Sequence, residues 1–261
     1  MDLQLTGKRA FVSGSTQGIG FAIAKGLLDE GAAAVINGRD RARVDAAVAA
    51  LSKDGATVEG IAADFTDPAQ VNTLLETLGD VDILVNNVGT FEVKPFADVS
   101  DDDWQRYFDV NVMSGVRLSR HLLPGMLERG WGRVVFVNSE SGVNVPADMI
   151  HYGASEAAML ALGNGLAKLT RGTAVTVNSI LGGPTYSDGV ATAVDQIAHA
   201  QGMDVASLKA AIAAGNATSI LQRFIEPNEI ASLALYLASP LSSATNGAAI
   251  RADGGVLTAV L

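Results

Sequence analysis

The sequence predicts an α/β protein: a doubly wound parallel sheet of about seven strands, with helices on both faces. Two observations support this fold class. Short apolar segments alternate with amphipathic ones along the chain, and hydrophobic residues make up 48% of the sequence while aromatic residues make up only 5%. Aliphatic runs between helical segments are typical of buried parallel strands. At 261 residues, the chain is expected to form one domain, 1–261.

The first strand–helix unit contains a glycine-rich turn. The apolar run 10–12 leads into Gly14, Gly18 and Gly20, and an apolar helical face follows. Glycines at such a turn permit positive φ and close approach of the backbone to a ligand, and the N–H groups that begin the helix bind phosphate. The expected ligand is a dinucleotide pyrophosphate. The spacing differs from the commoner G-x-G-x-x-G, and a tight turn without a ligand is the alternative.

Strands and helices alternate through the rest of the chain. Further strands are predicted at 33–38, 57–63, 82–86, 132–139, 174–181 and 247–252, and helices at 41–51, 67–78, 101–129, 152–171 and 228–237. The segment 182–215 is rich in Gly, Ser and Ala, has weak periodicity and breaks the alternation. It is predicted to be either a substrate lid or a loosely packed surface excursion.

Composition excludes several classes of function. The chain has no cysteine and three histidines without an H-x-x-x-H pair, so neither disulfides, a cysteine nucleophile nor a metal site is expected. A net charge of −10 argues against nucleic acid as a partner. No apolar run has membrane-spanning length, and the first residues do not resemble a signal peptide. A soluble, cytoplasmic protein without membrane association is therefore expected.

The tip of the second predicted strand indicates the cofactor type. In dinucleotide-binding α/β proteins a carboxylate at this tip binds the ribose 2′-hydroxyl of NAD. Here Gly38 occupies that place and Arg39 follows it. A glycine leaves room for a 2′-phosphate and a guanidinium can bind it, so NADP(H) is favoured over NAD(H). Alternatively, Arg39 only begins a solvated helix.

Polar residues also follow the third and fourth predicted strands. Asp64 could accept a hydrogen bond from an adenine amino group or cap the helix beginning near Asp67. Asn86 and Asn87 stand at the carboxyl edge of the sheet, where ligands bind. These asparagines are equally consistent with a structural role and with a cofactor-binding role.

Two hydroxyl groups form the candidate catalytic site. Ser139 ends the fifth predicted strand, and Tyr152 follows 13 residues later at the start of a helix. That separation permits a loop that brings the two hydroxyls together. In the absence of cysteine and of a Ser/His/Asp set, a tyrosine is the natural acid for a carbonyl oxygen.

With these motifs the chain resembles the short-chain dehydrogenase/reductase family over essentially its whole length, and looks like its 3-oxoacyl carrier-protein reductase and carbonyl reductase branch. The resemblance implies a single Rossmann domain, a ketone or acyl thioester substrate and a homo-oligomer, commonly a tetramer. Apolar residues on more than one face of the two longest predicted helices fit an oligomer or a deep core helix. The matching motifs are Gly14-x-x-x-Gly18-x-Gly20, Asn86-Asn87-Val88-Gly89, Asn111, Ser139, Tyr152, Gly183-Pro184-Thr185 and Asp253-Gly254-Gly255.

The resemblance also implies individual roles. Tyr152 donates a proton to the substrate carbonyl, Ser139 positions that oxygen, and Asn111 holds a water in the proton relay. The family's fourth catalytic residue is a lysine four positions after the tyrosine. The residues expected to bind the dinucleotide are Gly14, Ser15, Thr16, Gly18, Ile19, Gly20, Arg39, Asp64, Phe65, Asn87, Val88, Gly89, Gly183 and Thr185.

Position 156, where the family has its lysine, is Glu156. One helical turn places residues 152 and 156 on the same face. A lysine there lowers the tyrosine pKa, whereas a carboxylate raises it. At about 4 Å and an effective dielectric near 20, one unit charge is worth about 4 kcal/mol. Gly182, where the family usually has proline, is a second departure.

These features leave three hypotheses about function. The first is an NADP(H)-dependent oxidoreductase that reduces a ketone or 3-oxoacyl group and is impaired by Glu156. The second is a dinucleotide-binding protein with little or no turnover, acting as a sensor or partner subunit. The third is a structural oligomer without cofactor, which the intact glycine turn argues against. The sequence leaves open whether the chain is a natural divergent member of the family or a family enzyme altered on purpose. Alternatively, Glu156, protonated or bridged by water, still binds the ribose hydroxyls and permits slow reduction.

Overall fold

The computed structural model describes residues 1–52 and 55–260 and contains a parallel sheet of seven strands in the order β3-β2-β1-β4-β5-β6-β7. Lys53, Asp54 and Leu261 of the predicted domain lie outside the described residues. Chain order reverses between β1 and β4, which opens a crevice at the carboxyl ends of these strands. The strands are β1 Arg9–Val12, β2 Ala33–Gly38, β3 Val58–Ala62, β4 Ile83–Asn86, β5 Trp131–Ser139, β6 Ala174–Gly182 and β7 Ala249–Ala252.

Helices cover both faces of the sheet, so the predicted fold class is confirmed. One hydrophobic cluster joins the sheet to α1, α2 and α9, and a second joins its other face to α3, α5 and α6. The helices are α1 Gly18–Asp29, α2 Arg41–Leu51, α3 Pro68–Leu78, α4 Asp101–Tyr107, α5 Met113–Arg129, α6 Ile150–Leu169, α7 Asp188–Gln201, α8 Val205–Gly215 and α9 Pro227–Ala238.

Side-chain caps set the start of several helices. Asp40 accepts a hydrogen bond from Arg43 N–H at the start of α2, and Asp67 accepts from Ala69 N–H and Gln70 N–H at the start of α3. These carboxylates satisfy backbone donors that the helix itself leaves free. The cap of α3 is therefore Asp67, and the alternative that Asp64 caps this helix is wrong.

The long helix predicted over 101–129 is interrupted. A π-helical turn, Phe108–Val112, separates α4 from α5 and includes Asn111. The wider turn shifts the side chains that follow it relative to a regular helix, and such turns occur frequently at functional sites. The 3.6-residue apolar period indicated the two flanking helices but did not indicate this local change.

The segment 182–215 contains two helices, α7 and α8, where weak periodicity predicted neither. Both are rich in alanine, which has the highest intrinsic helix propensity. Their pattern is weak because few residues are buried: Val194, Ala198 and Leu208 form a small cluster with the half-buried Tyr186 beside it. The two helices therefore pack mainly on each other at the edge of the domain.

The apolar faces of α6 are partly covered by the chain itself. Met159 is buried, and the half-buried Leu162 and Leu166 pack against the second cluster, whereas Leu169 is exposed. The homo-oligomer inferred from this helix stays a prediction. Among the described residues, no helix combines the length and the hydropathy needed to cross a membrane.

Candidate active site

The glycine turn after β1 is held by contacts that require glycine. Gly14 and Gly18 both have φ of +61°, a backbone conformation that residues with a Cβ atom rarely adopt. At Gly20 a Cβ would lie 2.5 Å from the Gly14 carbonyl oxygen and 2.5 Å from Asn87 Nδ2. The turn therefore brings the start of α1 directly against the end of β1, as predicted.

Asn87 ties this turn to the neighbouring strand. Its Nδ2 donates to the Ser13 and Gly14 carbonyl oxygens, each at 3.0 Å. The Ser13 hydroxyl accepts from Asn87 N–H at 2.9 Å and Val88 N–H at 3.1 Å. The side chain of Asn87 thus has the structural role that its sequence position suggested, and it also faces the cavity described next.

A cavity of about 830 Å³ lies above the turn, a size typical of ligand pockets. Most of the predicted cofactor residues line it. Ser15 does not, since its hydroxyl is buried and donates to the Val12 carbonyl oxygen at 2.6 Å. Gly20 packs beneath the turn, and Gly183 and Thr185 lie outside the described lining. The predicted residues in the lining are Gly14, Thr16, Gly18, Ile19, Arg39, Asp64, Phe65, Asn87, Val88 and Gly89.

The tip of β2 presents two arginines to this cavity. Arg39 and Arg43 both line it, whereas Arg41 pairs with Asp45 at 2.9 Å. The space beside Gly38 is not empty: a Cβ there would lie 2.5 Å from Thr16 Cγ2. A carboxylate side chain at position 38 would therefore displace Thr16. The sequence did not indicate that Arg43 lines the cavity, because helical phase, rather than adjacency to the strand, brings it there.

Asp64 lies at the end of β3 in a local turn. Its Oδ1 accepts from Thr66 N–H at 2.9 Å and from the Thr66 hydroxyl at 2.8 Å. The neighbouring Phe65 is buried, and its carbonyl oxygen accepts from Arg117. Asp64 and Phe65 both line the cavity, and contact with an adenine ring stays a prediction for both.

Tyr152 lies in the first turn of α6, beside the end of β5. Burial raises its pKa above the ordinary value of 10.0, and the Glu156 carboxylate raises that pKa further, while the nearby Ser139 side chain lowers it. The Tyr152 ring centroid is 6.3 Å from that of Phe91, which lines the cavity. The structure thus brings Tyr152 and Ser139 together beside Phe91, although neither of the two is among the described residues that line the cavity.

Glu156 is buried one turn further along α6. Its Oε2 accepts from Ser139 N–H at 2.8 Å and from Asn138 Nδ2 at 3.3 Å. Burial raises its pKa to about 7, although these two hydrogen bonds oppose the shift. The carboxyl group therefore binds the end of β5 and titrates near neutral pH. The sequence left a protonated Glu156 open as an alternative, but it did not indicate the partners at the end of β5.

Asn111 connects the cavity wall to α6. Its Oδ1 accepts from Thr90 N–H at 2.8 Å, and its Nδ2 donates to the Thr90 carbonyl oxygen and the Ser155 hydroxyl. The Ser155 hydroxyl in turn donates to the Tyr152 carbonyl oxygen at 2.7 Å. Both amide hydrogens of Asn111 are thus used within the protein. Its role in a proton relay stays a prediction.

His151 does not supply the positive charge that position 156 lacks. It is fully buried, and its ring lies 4.3 Å from the Tyr107 ring in an edge-on arrangement. Burial lowers the pKa of His151, so the imidazole is neutral near pH 7. This agrees with the helical geometry, which directs residue 151 away from residue 156.

The loop after β6 is bound to the end of the sheet. A Cβ on Gly183 would lie 2.5 Å from the Asp253 carbonyl oxygen, and the Thr185 hydroxyl donates to the Gly183 carbonyl oxygen at 2.9 Å. Ser187 and Gly189, at the start of α7, line the cavity on the side of the glycine turn. The segment 182–215 therefore borders the predicted cofactor site.

The family model that describes short chain dehydrogenases matches residues 8–198. The chain belongs to the short-chain dehydrogenase family. This result agrees with the glycine turn at one end of the cleft and the Ser139–Tyr152 pair at the other, and it confirms the resemblance seen in the sequence.

Several members of the family are similar over the whole chain. Uncharacterized oxidoreductase YvrD from Bacillus subtilis is 46% identical, over 98% of this chain and 99% of the relative. D-beta-hydroxybutyrate dehydrogenase from Cupriavidus necator is 32% identical, over 96% and 98%. The crystal structure of L-sorbose reductase from Gluconobacter frateurii, complexed with NADPH and L-sorbose, is 31% identical, covers 100% of both chains and superimposes with a TM-score of 0.94.

Proposed function

We propose that this short-chain dehydrogenase is an NADP(H)-dependent reductase of ketones or 3-oxoacyl groups in which Tyr152 donates the proton and Glu156 limits turnover. The observation that carries the proposal is the position of Tyr152. The Ser139 side chain is close enough to lower the pKa of the Tyr152 hydroxyl, and the Tyr152 ring lies 6.3 Å from that of Phe91 at the cavity wall. A proton donor and a second hydroxyl thus lie together beside the cavity, where we expect the substrate carbonyl to bind.

The residues of the glycine turn fit a dinucleotide. Positive φ at Gly14 and Gly18 directs the turn backbone toward the cavity, and Gln17, the N-cap of α1, forms no side-chain cap. The first turn of α1 thus offers backbone donors to a phosphate. When bound, the nicotinamide ring supplies the hydride.

The two arginines at the tip of β2 support NADP(H) over NAD(H). Arg39 and Arg43 line the cavity next to Gly38, which carries no carboxylate. A 2′-phosphate would gain charge-assisted hydrogen bonds from either guanidinium. The NADPH in the Gluconobacter frateurii reductase structure is consistent with this choice.

In the proposed reaction the Tyr152 hydroxyl gives its proton to the carbonyl oxygen as hydride reaches the carbonyl carbon. The Ser139 hydroxyl donates a hydrogen bond to the same oxygen and holds it near Tyr152. Thr90, Asn111 and Ser155 link the cavity wall to α6. This network fixes the distance between the two ends of the cleft.

Glu156 acts differently on the two directions of the reaction. A raised pKa keeps Tyr152 protonated at neutral pH, as reduction requires, although it also makes Tyr152 a weaker acid. Oxidation of an alcohol needs tyrosinate as the base, which both burial and the Glu156 charge disfavour. We therefore expect slow reduction and still slower oxidation.

The surroundings of Tyr152 favour a substrate with an apolar group. Phe91 is 55% exposed beside the tyrosine ring, and Val145 lies against Gly153, the residue after Tyr152. An uncharged ketone or an acyl thioester fits these neighbours better than a phosphorylated substrate. The 3-oxoacyl-[acyl-carrier-protein] reductase FabG of Aquifex aeolicus, 29% identical over 98% of this chain, is consistent with this class.

The test is the rate of NADPH oxidation with an activated ketone in the parent protein and in Glu156→Lys. A cation at position 156 lowers the pKa of Tyr152 instead of raising it. General acid catalysis contributes on the order of 10²–10⁴-fold to a rate, so we expect the lysine variant to be faster by at least about tenfold. Glu76→Lys, an exposed site on α3, makes the same change in net charge and should leave the rate unchanged.

NADPH binding, titrated in all three proteins, separates the outcomes. A parent rate equal to that of Glu156→Lys would show that Glu156 does not limit the proton transfer. Binding of NADPH without turnover in either protein would favour the second candidate function, a dinucleotide-binding protein that acts as a sensor or partner subunit. The buried carboxyl group at position 156 is the observation that supports this alternative.

A further inference from the structure

Helix α7 contacts the glycine turn through a carboxylate. Asp188 Oδ2 accepts a hydrogen bond from Gly18 N–H at 2.6 Å, between residues 170 positions apart in the sequence. Gly18 N–H is the first amide of α1, where the proposed function places a dinucleotide phosphate. We propose that Asp188 sets the affinity for the dinucleotide, because its carboxylate occupies the phosphate position and must leave when the dinucleotide binds.

The contact lies where the N-termini of two helices meet. α1 begins at Gly18 and α7 begins at Asp188, and neither N-cap residue, Gln17 or Ser187, forms a side-chain cap. The first turn of each helix carries partial positive charge and favours an anion. Asp188 provides that anion for both helices at once.

The backbone geometry shows how closely the two helices approach. Gly18 has φ of +61°, and a Cβ there would lie 3.4 Å from Ser187 Cβ and 3.9 Å from Asp188 Oδ2. Gln17, Gly18 and Ser187 line the same cavity. A phosphate at the Gly18 amide would therefore meet the Asp188 carboxylate directly.

No cation within the described ranges forms an ion pair with Asp188. Arg39 and Arg43 line the cavity at the tip of β2 instead. The carboxylate is thus not neutralised by a partner cation in the described part of the chain, so it competes for the Gly18 donor and repels a phosphate. Both effects lower the affinity for a dinucleotide.

Displacement of Asp188 also changes how the α7–α8 pair is held to the rest of the domain. The small cluster of Val194, Ala198 and Leu208 packs α7 against α8, so the two helices form one unit beside the cavity. The hydrogen bond to Gly18 ties the start of this unit to α1. Binding of the dinucleotide therefore frees the first turn of α7. The free energy of binding includes the cost of breaking this hydrogen bond.

This inference rests on the proposed function and is tested by measuring the dissociation constant of NADP⁺ by calorimetry. Asp188→Asn keeps an acceptor for Gly18 N–H but removes the charge. A charge-assisted hydrogen bond is about twice as strong as a neutral one, and we expect the variant to bind NADP⁺ about tenfold more tightly than the parent. Adenosine 2′-monophosphate, which lacks the pyrophosphate, should bind both proteins equally.

Asp195→Asn is the matched control, since Asp195 is an exposed carboxylate on the same helix. It should leave the NADP⁺ dissociation constant at the parent value. Equal or weaker NADP⁺ binding by Asp188→Asn, with the parent binding NADP⁺ or NAD⁺, would overturn this inference alone. Failure of all three proteins to bind either dinucleotide would overturn the proposed function and the inference together.

Discussion

The proposed dinucleotide end, after β1, and the proposed catalytic end, after β5, lie at the same edge of one sheet with β4 between them, but they depend on different parts of the chain. The dinucleotide end is formed by backbone: the close packing of Gly14, Gly18 and Gly20 shapes it, and Asn87 fastens it to the next strand. The proposed catalytic end is formed by side chains, and in the proposed mechanism its chemistry depends on the charge at position 156.

This difference explains why the two ends can diverge separately. A carboxylate in place of a lysine fits at position 156 because Ser139 N–H and Asn138 Nδ2 bind it. The glycine turn is unaffected, because no contact of Glu156 reaches it. A site formed by backbone atoms is sensitive to steric changes. A site formed by side chains can lose its chemistry while the fold stays intact.

The largest effect should come from a methyl group at the glycine turn. In Gly20→Ala the new Cβ would lie 2.5 Å from the Gly14 carbonyl oxygen, so α1 must move away from β1. We expect about a hundredfold loss of NADP⁺ affinity and a destabilisation of about 1–3 kcal/mol, as overpacking causes. Calorimetric titration and urea unfolding measure the two quantities.

Gly165→Ala is the control for this prediction. Gly165 lies inside α6 with open space around its Cβ position, so alanine should stabilise the helix by about 0.5–1 kcal/mol and leave NADP⁺ binding unchanged. Unchanged NADP⁺ affinity in Gly20→Ala would mean that the turn does not depend on steric fit, and the contrast between the two ends would fail.

The second largest effect is on the pH dependence of protein stability, through Glu156 at the catalytic end. Because burial raises the pKa of Glu156 to about 7 from 4.5, the neutral carboxyl group is favoured in the folded protein. The contribution of this neutral carboxyl group to the stability of the fold is fully present below about pH 4.5 and is lost as the pH rises through about 7. Glu156→Gln stays neutral, so its stability relative to the parent should increase between pH 5 and pH 8, by up to about 3 kcal/mol.

Urea unfolding of both proteins at several pH values measures this difference. Glutamine can also accept from Ser139 N–H and donate to Asn138 Oδ1, which has no partner within the described structure. The variant should therefore fold. If the two pH curves of unfolding free energy ran parallel between pH 5 and pH 8, Glu156 would be ionised throughout, and its burial would not shift its pKa.

The parts of the molecule that local pattern determines were predicted closely. The bounds of β2 and α2 agree with the prediction, because a buried strand, a cap at Asp40 and an alanine-rich helix follow each other directly. The approach of Ser139 and Tyr152 was also predicted. Both follow from strand and helix boundaries that sequence patterns mark well.

Contacts between distant segments could not be predicted in this way. Nothing near Asp188 indicates that it meets Gly18, since the contact depends on where α7 packs after β6. The raised pKa of Glu156 likewise depends on burial and on its partners at the end of β5. The π-helical turn at Asn111 has no apolar period of its own. These features arise from tertiary packing, and they lie at the functional cleft.

The smallest expected effect is on the preference for NADP⁺ over NAD⁺ at the dinucleotide end. Arg39→Ala removes a guanidinium that lines the cavity and is expected to bind the 2′-phosphate of NADP⁺. We expect the dissociation constant for NADP⁺ to rise about tenfold and that for NAD⁺ to stay the same. Arg41→Ala is the control, because Arg41 pairs with Asp45 on α2, and it should change neither constant.

The loss of NADP⁺ affinity in Arg39→Ala also depends on Arg43. It lines the same cavity, so it can hold part of the 2′-phosphate charge when Arg39 is absent, and the double variant should then lose more NADP⁺ affinity than Arg39→Ala alone. Equal losses of NADP⁺ and NAD⁺ affinity in Arg39→Ala would show that the side chain supports the turn rather than the phosphate. The dinucleotide end would then depend on side chains as much as the catalytic end does.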